Sequence, residues 1–256
     1  MSEVTITSER PPLGLIFGSL LRADFTVLLR SGRTLALNAL LPLLILVITA
    51  LGKQDRFGTS EFVIGMAVTY GLLASDLLGY ALTMSRDRDL GVFQRLRVTP
   101  APTWTIMTSR LSVQLIVNLV ITIIVIIAGS IIHHISFTVG QYLLFLAAAI
   151  IGGAVFLSIG QAMVGLLKSA TVVNAVGRIL LIALVLIGLL GATGLLGSAF
   201  QTFADWTPVG ALFNLFAGAL NISAWSGTNT NALIACLAYI AVFSFIGIRW
   251  FHWDSQ

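Results

Sequence analysis

The chain has 256 residues, of which 57% are apolar and 9% charged, with a formal net charge of +4. With a mean hydropathy of +1.00, these totals exclude an ordinary soluble globular domain. The basic residues gather at the ends of apolar runs and so read as membrane topology, with no nucleic-acid partner implied.

Runs near 20 apolar residues recur, the length that a bilayer core of about 30 Å asks of a helix. Lipid offers no partner to a backbone amide, so the runs are read as helices, and residues 1–256 as one transmembrane domain. Met1 to Pro12 is polar. Over 13–33, Leu13, Ile16, Phe17, Leu20, Leu28 and Leu29 alternate with Ser19, Arg22, Asp24, Arg30 and Arg33, which predicts an amphipathic helix lying in the membrane interface. Arg22-Ala23-Asp24 stands where a signal peptide would have its cleavage site, so the segment is not read as one.

The spacing then predicts spans over 35–51, with Pro42 inside it, and over 62–84, separated by the polar turn Lys53–Arg56. A third follows over 104–132, long enough to tilt or project beyond lipid, and a fourth over 141–167. Lys168–Arg178 reads as a short basic connection to a fifth over 179–196. Between Phe200 and Trp225 the apolar pattern is broken by Asp205, Pro208, Gly210, Asn214 and Gly218, and its helix is too short to cross. A re-entrant or interfacial element over 207–222, on the outer side, is expected. The last span, 232–250, ends in Arg249-Trp250-Phe251-His252-Trp253, an aromatic belt. Six spans put both termini on one side. With termini inside, only Lys53 and Arg56 of the 14 basic residues lie outside, which predicts cytoplasmic termini.

Between the second and third spans lies a charged island, Arg86-Asp87-Arg88-Asp89-Leu90-Gly91-Val92-Phe93-Gln94-Arg95-Leu96-Arg97-Val98-Thr99-Pro100. Wound as a helix it places Leu90, Val92, Phe93 and Leu96 on one arc and Asp87, Arg88, Gln94 and Arg95 on the other. Pro100 ends it.

The order Arg86-Asp87-Arg88-Asp89, Gly91, Leu96 and Thr99-Pro100 resembles the signature after the second span of type-2 ABC exporter permeases, with Asp87 and Asp89 where Glu is usual and Val92 where Thr is common. The resemblance implies an all-α membrane protein: six transmembrane helices, an N-terminal interfacial amphipathic helix, a cytoplasmic coupling helix over 86–100 and a re-entrant element before span six. It also implies a bacterial inner-membrane setting, two copies of a cytoplasmic ABC ATPase, and a second permease copy or a related permease. ATP and Mg would sit on the partner ATPase, and no cofactor in this chain. Phe93 and Leu96 are expected to dock into the ATPase, Asp87, Arg88 and Arg95 to make polar contacts, Gly91 to allow close approach and Pro100 to fix the chain's exit, with Arg86 and Asp89 in the same coupling set. The cargo implied is an amphipathic small molecule (drug, antibiotic or lipid) or, alternatively, a polysaccharide.

The chain carries no phosphate-cradling loop of its own. Gly160-Gln-Ala-Met-Val-Gly165-Leu-Leu-Lys168 brings its lysine two residues late and within a span. No enzyme or metal motif stands out. His133-His134 are adjacent and share no helix face, and Ser130 near His133 lacks an evident oxyanion site. Asp76 sits well inside the second span, where a charged side chain costs at least ~2.5 kcal/mol on insertion scales. It is read as pathway-lining with Asn118 and Gln161, or as a buried acid bonded to a neighbouring span. A rival reading makes it the coupling acid of an ion- or proton-driven secondary transporter, for which no internal repeat is visible.

Overall fold

The computed structural model describes residues 12–30, 32–52, 59–97 and 103–250, and among them every regular element is helical. The elements are α1 (Leu13–Arg30), α2 (Gly32–Leu51), α3 (Ser60–Leu72), a π-helical stretch (Leu73–Tyr80), α4 (Ala81–Asp89), α5 (Val92–Arg97), α6 (Thr103–Ile132), α7 (Val139–Leu166), α8 (Ala170–Thr193), α9 (Ser198–Trp206), α10 (Pro208–Leu220) and α11 (Gly227–Arg249). The polar turn Lys53–Arg56, Pro100 and Phe251–Trp253 lie outside the described residues.

Among the described residues, five helical stretches are long and apolar enough to cross a membrane: Ser60–Asp89, Thr105–Ile132, Val139–Leu166, Ala170–Thr193 and Gly227–Arg249. The described apolar part of α2, Asn38–Leu51, is shorter. α3, the π stretch and α4 run on without a break as the axis of the bundle. Of the most apolar window of that axis 78% is buried, against 22% for α8 and for α11. A helix apolar all round is buried all round, whereas α8 and α11 leave residues such as Ile179 and Ile248 exposed as a lipid-facing surface. Thr59 opens the axis as N-cap, its hydroxyl accepting from the Phe62 amide.

α7 packs against α11, α10 and the π stretch. α7 meets the π stretch backbone to backbone at Gly160, where a Cβ would stand 2.8 Å from the carbonyl oxygen of Asp76. No flexible side chain is there to yield. Gly160→Val is therefore expected to cost about 1–3 kcal/mol, read as a lower thermal unfolding midpoint in detergent, while Gly140→Val, with only the Thr138 hydroxyl near, should cost far less.

One connection differs from the expectation. α8 starts at Ala170 and not near Ile179, so Arg178 lies within the helix and only Leu167–Ser169 join α7 to α8. Ser169 is the N-cap, accepting from the Val172 amide, and the carboxylate of Asp89 accepts from the Ala170 amide at 2.9 Å. These acceptors take up the first free amides of α8, so the polar stretch that reads as a loop is helical. α8 ends at Gly194, which adopts a left-handed φ of 64°.

α10 is nearly all buried, packed by α3, α7, α8, α9 and α11. Its last carbonyl, of Leu220, accepts from the side chain of Gln141 at the start of α7. Its first residue, Pro208, shares a cavity with Ile159 and Leu166 near α7's other end. α10 therefore runs antiparallel to α7, and α9 returns beside it through a tight joint at Thr207, where Gly210 presses on the backbone of Ala204 and Asp205.

Candidate functional site

The charged island is not one helix. Arg86–Asp89 close α4, Gly91 breaks the chain with a φ of 68°, and α5 is the six residues Val92–Arg97. A Cβ on Gly91 would meet only the Gln94 side chain at 3.5 Å. The glycine thus supplies a left-handed turn.

The island's charges turn inward. Arg88 is 4% exposed and donates from its two terminal nitrogens to the carbonyls of Val164 at 2.7 Å and Leu167 at 2.9 Å. It thereby caps the C-terminus of α7. Asp89, beside it, caps α8, and an ion pair of 3.8 Å joins the two neighbours. Asp87 pairs with Arg110 of α6, whose guanidinium also lies 5.1 Å from the centre of the Phe93 ring. The same guanidinium is 4.0 Å from Asp24 of α1, and Asp24 accepts from the Ser109 hydroxyl at 2.7 Å.

Phe93, expected from the sequence to dock into the ATPase, is 1% exposed and packs into the core of this chain. Leu90, from the same predicted arc, is 72% exposed, and Arg86 and Gln94 are exposed on the same short segment. The break at Gly91 separates what a continuous helix would have aligned. The side chains of Arg95 and Leu96 lie outside the described residues, though their backbone belongs to α5.

Three turns up the axis a second polar group sits in the apolar interior. Asp76, 0% exposed in the π stretch, accepts from Asn118 at 2.8 and 2.7 Å and from Gln114 at 3.0 Å. Gln114 also donates to the Ser75 hydroxyl at 2.8 Å, and Asn38 of α2 donates to it at 3.1 Å. Buried polar groups persist in lipid when partnered in this way. Of the three residues read as a lining set, the fold brings Asp76 and Asn118 together. Gln161 instead accepts from the Tyr80 hydroxyl at 2.9 Å.

A cleft of about 340 Å³ joins the two groups. Asp24, Asp87 and Arg110 stand at one end, Asn38, Ser75 and Gln114 at the other, with Tyr80 and Thr83 between. Asp76 itself is buried and is bonded to one of the lining residues, Gln114. Sequence reading missed Gln114, Ser75 and Asn38. The spacing of Gln114 four residues before Asn118, on one face of α6, was the available signal.

Ser130 donates to the Ile126 carbonyl at 2.7 Å, and its hydroxyl lies 3.3 Å from that of Tyr142. No group of three or more His, Cys, Asp or Glu able to hold a metal occurs among the described residues.

The family model described as ABC-2 type transporter matches residues 16–221, a range that takes in the island, the polar group and α10. None of the curated proteins matches the chain.

Proposed function

The chain belongs to the ABC-2 type transporter family, the permease component of type-2 ABC transporters, and from this membership we propose that it is the membrane subunit of an exporter driven by a separate ATPase. Members of the family normally work with such a partner, and the chain itself is a transport permease, not a catalyst. In this reading α2 is the first of six spans, α1 lies along the membrane interface and α9–α10 dip into the membrane from the outer side. Both termini and the island face the cytoplasm of a bacterial cell. Two such chains, or this one and a related permease, pair with two ATPases that hold ATP and Mg. The cargo is an amphipathic small molecule.

The observation that carries the proposal is the wiring of the island. α5 and the Leu90 turn are the contact for the ATPase, and α4 is the shaft, continuous with the helix that holds Asp76. A push on α5 reaches α6 and α1 through Arg110, the end of α7 through Arg88 and the start of α8 through Asp89. Packed elements move as units, so displacement at the island shifts several spans together. The role of Arg88 and Asp89 is therefore transmission, and contact with the partner falls to Leu90, Arg86 and Gln94.

Leu90→Asp is the direct test, made on the permease copurified with its ATPase. In this reading Leu90 is one of the few contacts in which docking energy concentrates, and it is exposed in the chain, so the variant should keep its thermal unfolding midpoint and lose ATPase activity linked to transport by tenfold or more. Phe93→Ala should behave differently, lowering the midpoint as a core truncation of about 3–5 kcal/mol does. Normal transport-linked turnover in Leu90→Asp would overturn the assignment of this face. A purified chain that moves cargo along an ion gradient without nucleotide would overturn the ATP-driven reading.

A further inference from the structure

The end of the bundle opposite the island holds a cavity that coupling does not use. Arg88 marks the island end by binding the last carbonyls of α7. At the other end, Gln141 at the start of α7 binds the last carbonyl of α10, and Asn229 in the first turn of α11 donates to the Asn214 carbonyl at 2.7 Å. Between α9, α10 and the start of α11 lies a cup of about 250 Å³, lined by Thr202, Asp205, Trp206, Asn214, Thr228 and Asn231.

Its chemistry is lopsided. No Lys or Arg lines it. One carboxylate oxygen of Asp205 accepts from the Asn214 amide at 3.1 Å, and the residue has no ion pair among the described residues. The side chains of Thr228 and Asn231 have no hydrogen-bond partner among the described residues either. The indole of Trp206 is half exposed on the rim, with Phe203 exposed beside it on α9. A carboxylate without a counter-charge, neutral oxygens and an indole face make up the surface that attracts an organic cation. An anionic ligand would find no positive group, and the aromatic rim suits an apolar tail.

We propose that this cup binds the ammonium head of an amphiphile, with Asp205 as its counter-ion, Trp206 against its methyl or methylene groups, and the tail leaving over Phe203. A protonated amine or a quaternary ammonium meets the same groups, whether carried by a lipid headgroup or by a free amphiphile. The volume suits the head alone, since whole small-molecule sites run from about 300 Å³ upward. The inference goes beyond the coupling reading and stands whether or not that reading does.

The test uses the full-length chain in vesicles of phosphatidylglycerol, which has no ammonium group. The probes carry bromine beside the head, where Trp206 would meet it: dodecyl(2-bromoethyl)dimethylammonium and, as neutral control, 2-bromododecan-1-ol. Bromine quenches nearby indoles, and subtracting the signal of Trp206→Phe isolates the residue of interest. Saturable quenching of Trp206 by the cation and not by the alcohol is expected, with Asp205→Asn weakening it about tenfold. Asn231→Ala, which leaves the carboxylate in place, should weaken it less and guards against a folding artefact. In phosphatidylcholine vesicles, loss of the probe signal identifies the lipid headgroup as occupant, whereas unchanged quenching identifies a free amphiphile. Equal quenching by cation and alcohol, or the same affinity in Asp205→Asn, would overturn the proposal. No nucleotide or ATPase is involved, so the result is independent of the coupling experiment.

Discussion

Arg88→Ala is expected to lower the thermal unfolding midpoint more than any other substitution of a charged residue in the island and to abolish transport-linked ATPase activity. The guanidinium is 4% exposed and donates to the Val164 and Leu167 carbonyls at 2.7 and 2.9 Å. Hydrogen bonds from a charged group contribute about 1.5–3 kcal/mol each, and burial leaves little solvent to screen them. Truncation also strands two carbonyls at the end of α7 and removes the neighbour that steadies Asp89 on α8. A loss of about 3 kcal/mol or more follows. Arg88→Lys should recover only part of it, because an ammonium on a flexible stem lacks the planar fork that reaches both carbonyls. Arg86→Ala, on the exposed side of the same helix, is the comparison and should leave the midpoint nearly unchanged. Equal midpoints for the Arg86 and Arg88 variants would show that Arg88 does not hold the α7–α8 junction.

The second large effect is expected at Asn118. Asn118→Leu removes the donor that reaches both carboxyl oxygens of Asp76, leaving Gln114 alone at 3.0 Å. A buried acceptor left without its partner costs about 1–3 kcal/mol, and more if it is charged. The midpoint should fall and export should fall with it. The double variant Asp76→Leu with Asn118→Leu separates stability from function. Replacing both members by apolar groups of similar size leaves fewer groups unpaired, so much of the lost stability should return. If the network serves transport, export stays lost in the double variant although the fold recovers. Recovery of export along with stability would reduce Asp76 to a packing element. For the cargo itself, Asp76→Asn should reduce export of cationic compounds more than of neutral ones, and equal retention of both would remove any charge role.

Much of the helical plan was legible in the sequence because lipid imposes one rule on every residue of a span. The apolar runs mark α6, α7 and α11 to within a few residues, since a peptide group in hydrocarbon has no alternative to the helix. Where another force sets the boundary, the reading slipped. α8 begins at Ala170 because Asp89, 81 positions earlier, accepts its first amide, and no local pattern near Lys168 announces that. The island was misread as one helix for a related reason. Gly91 carries no side-chain signal, and its left-handed φ is visible only in the folded chain. That break turned Phe93 inward under Arg110 and left Leu90 outside. Asp76 stood out as an acid among apolar residues, whereas Ser75 and Asn38 look ordinary alone and matter only because α2, the π stretch and α6 meet.

The sequence by itself determined that this chain is helical, lies in a membrane and carries a charged island after its second long apolar run. Composition, run length and the placement of arginines suffice for those conclusions, because hydrophobic transfer and backbone satisfaction act residue by residue. Only the tertiary structure decided which of the island's charges are exposed and which clamp the spans together. It also decided which polar residues share the interior with Asp76, and that Asp205 opens into a cup without a counter-charge. A side chain's pairing depends on what distant helices bring to it, and that information resides in the packing.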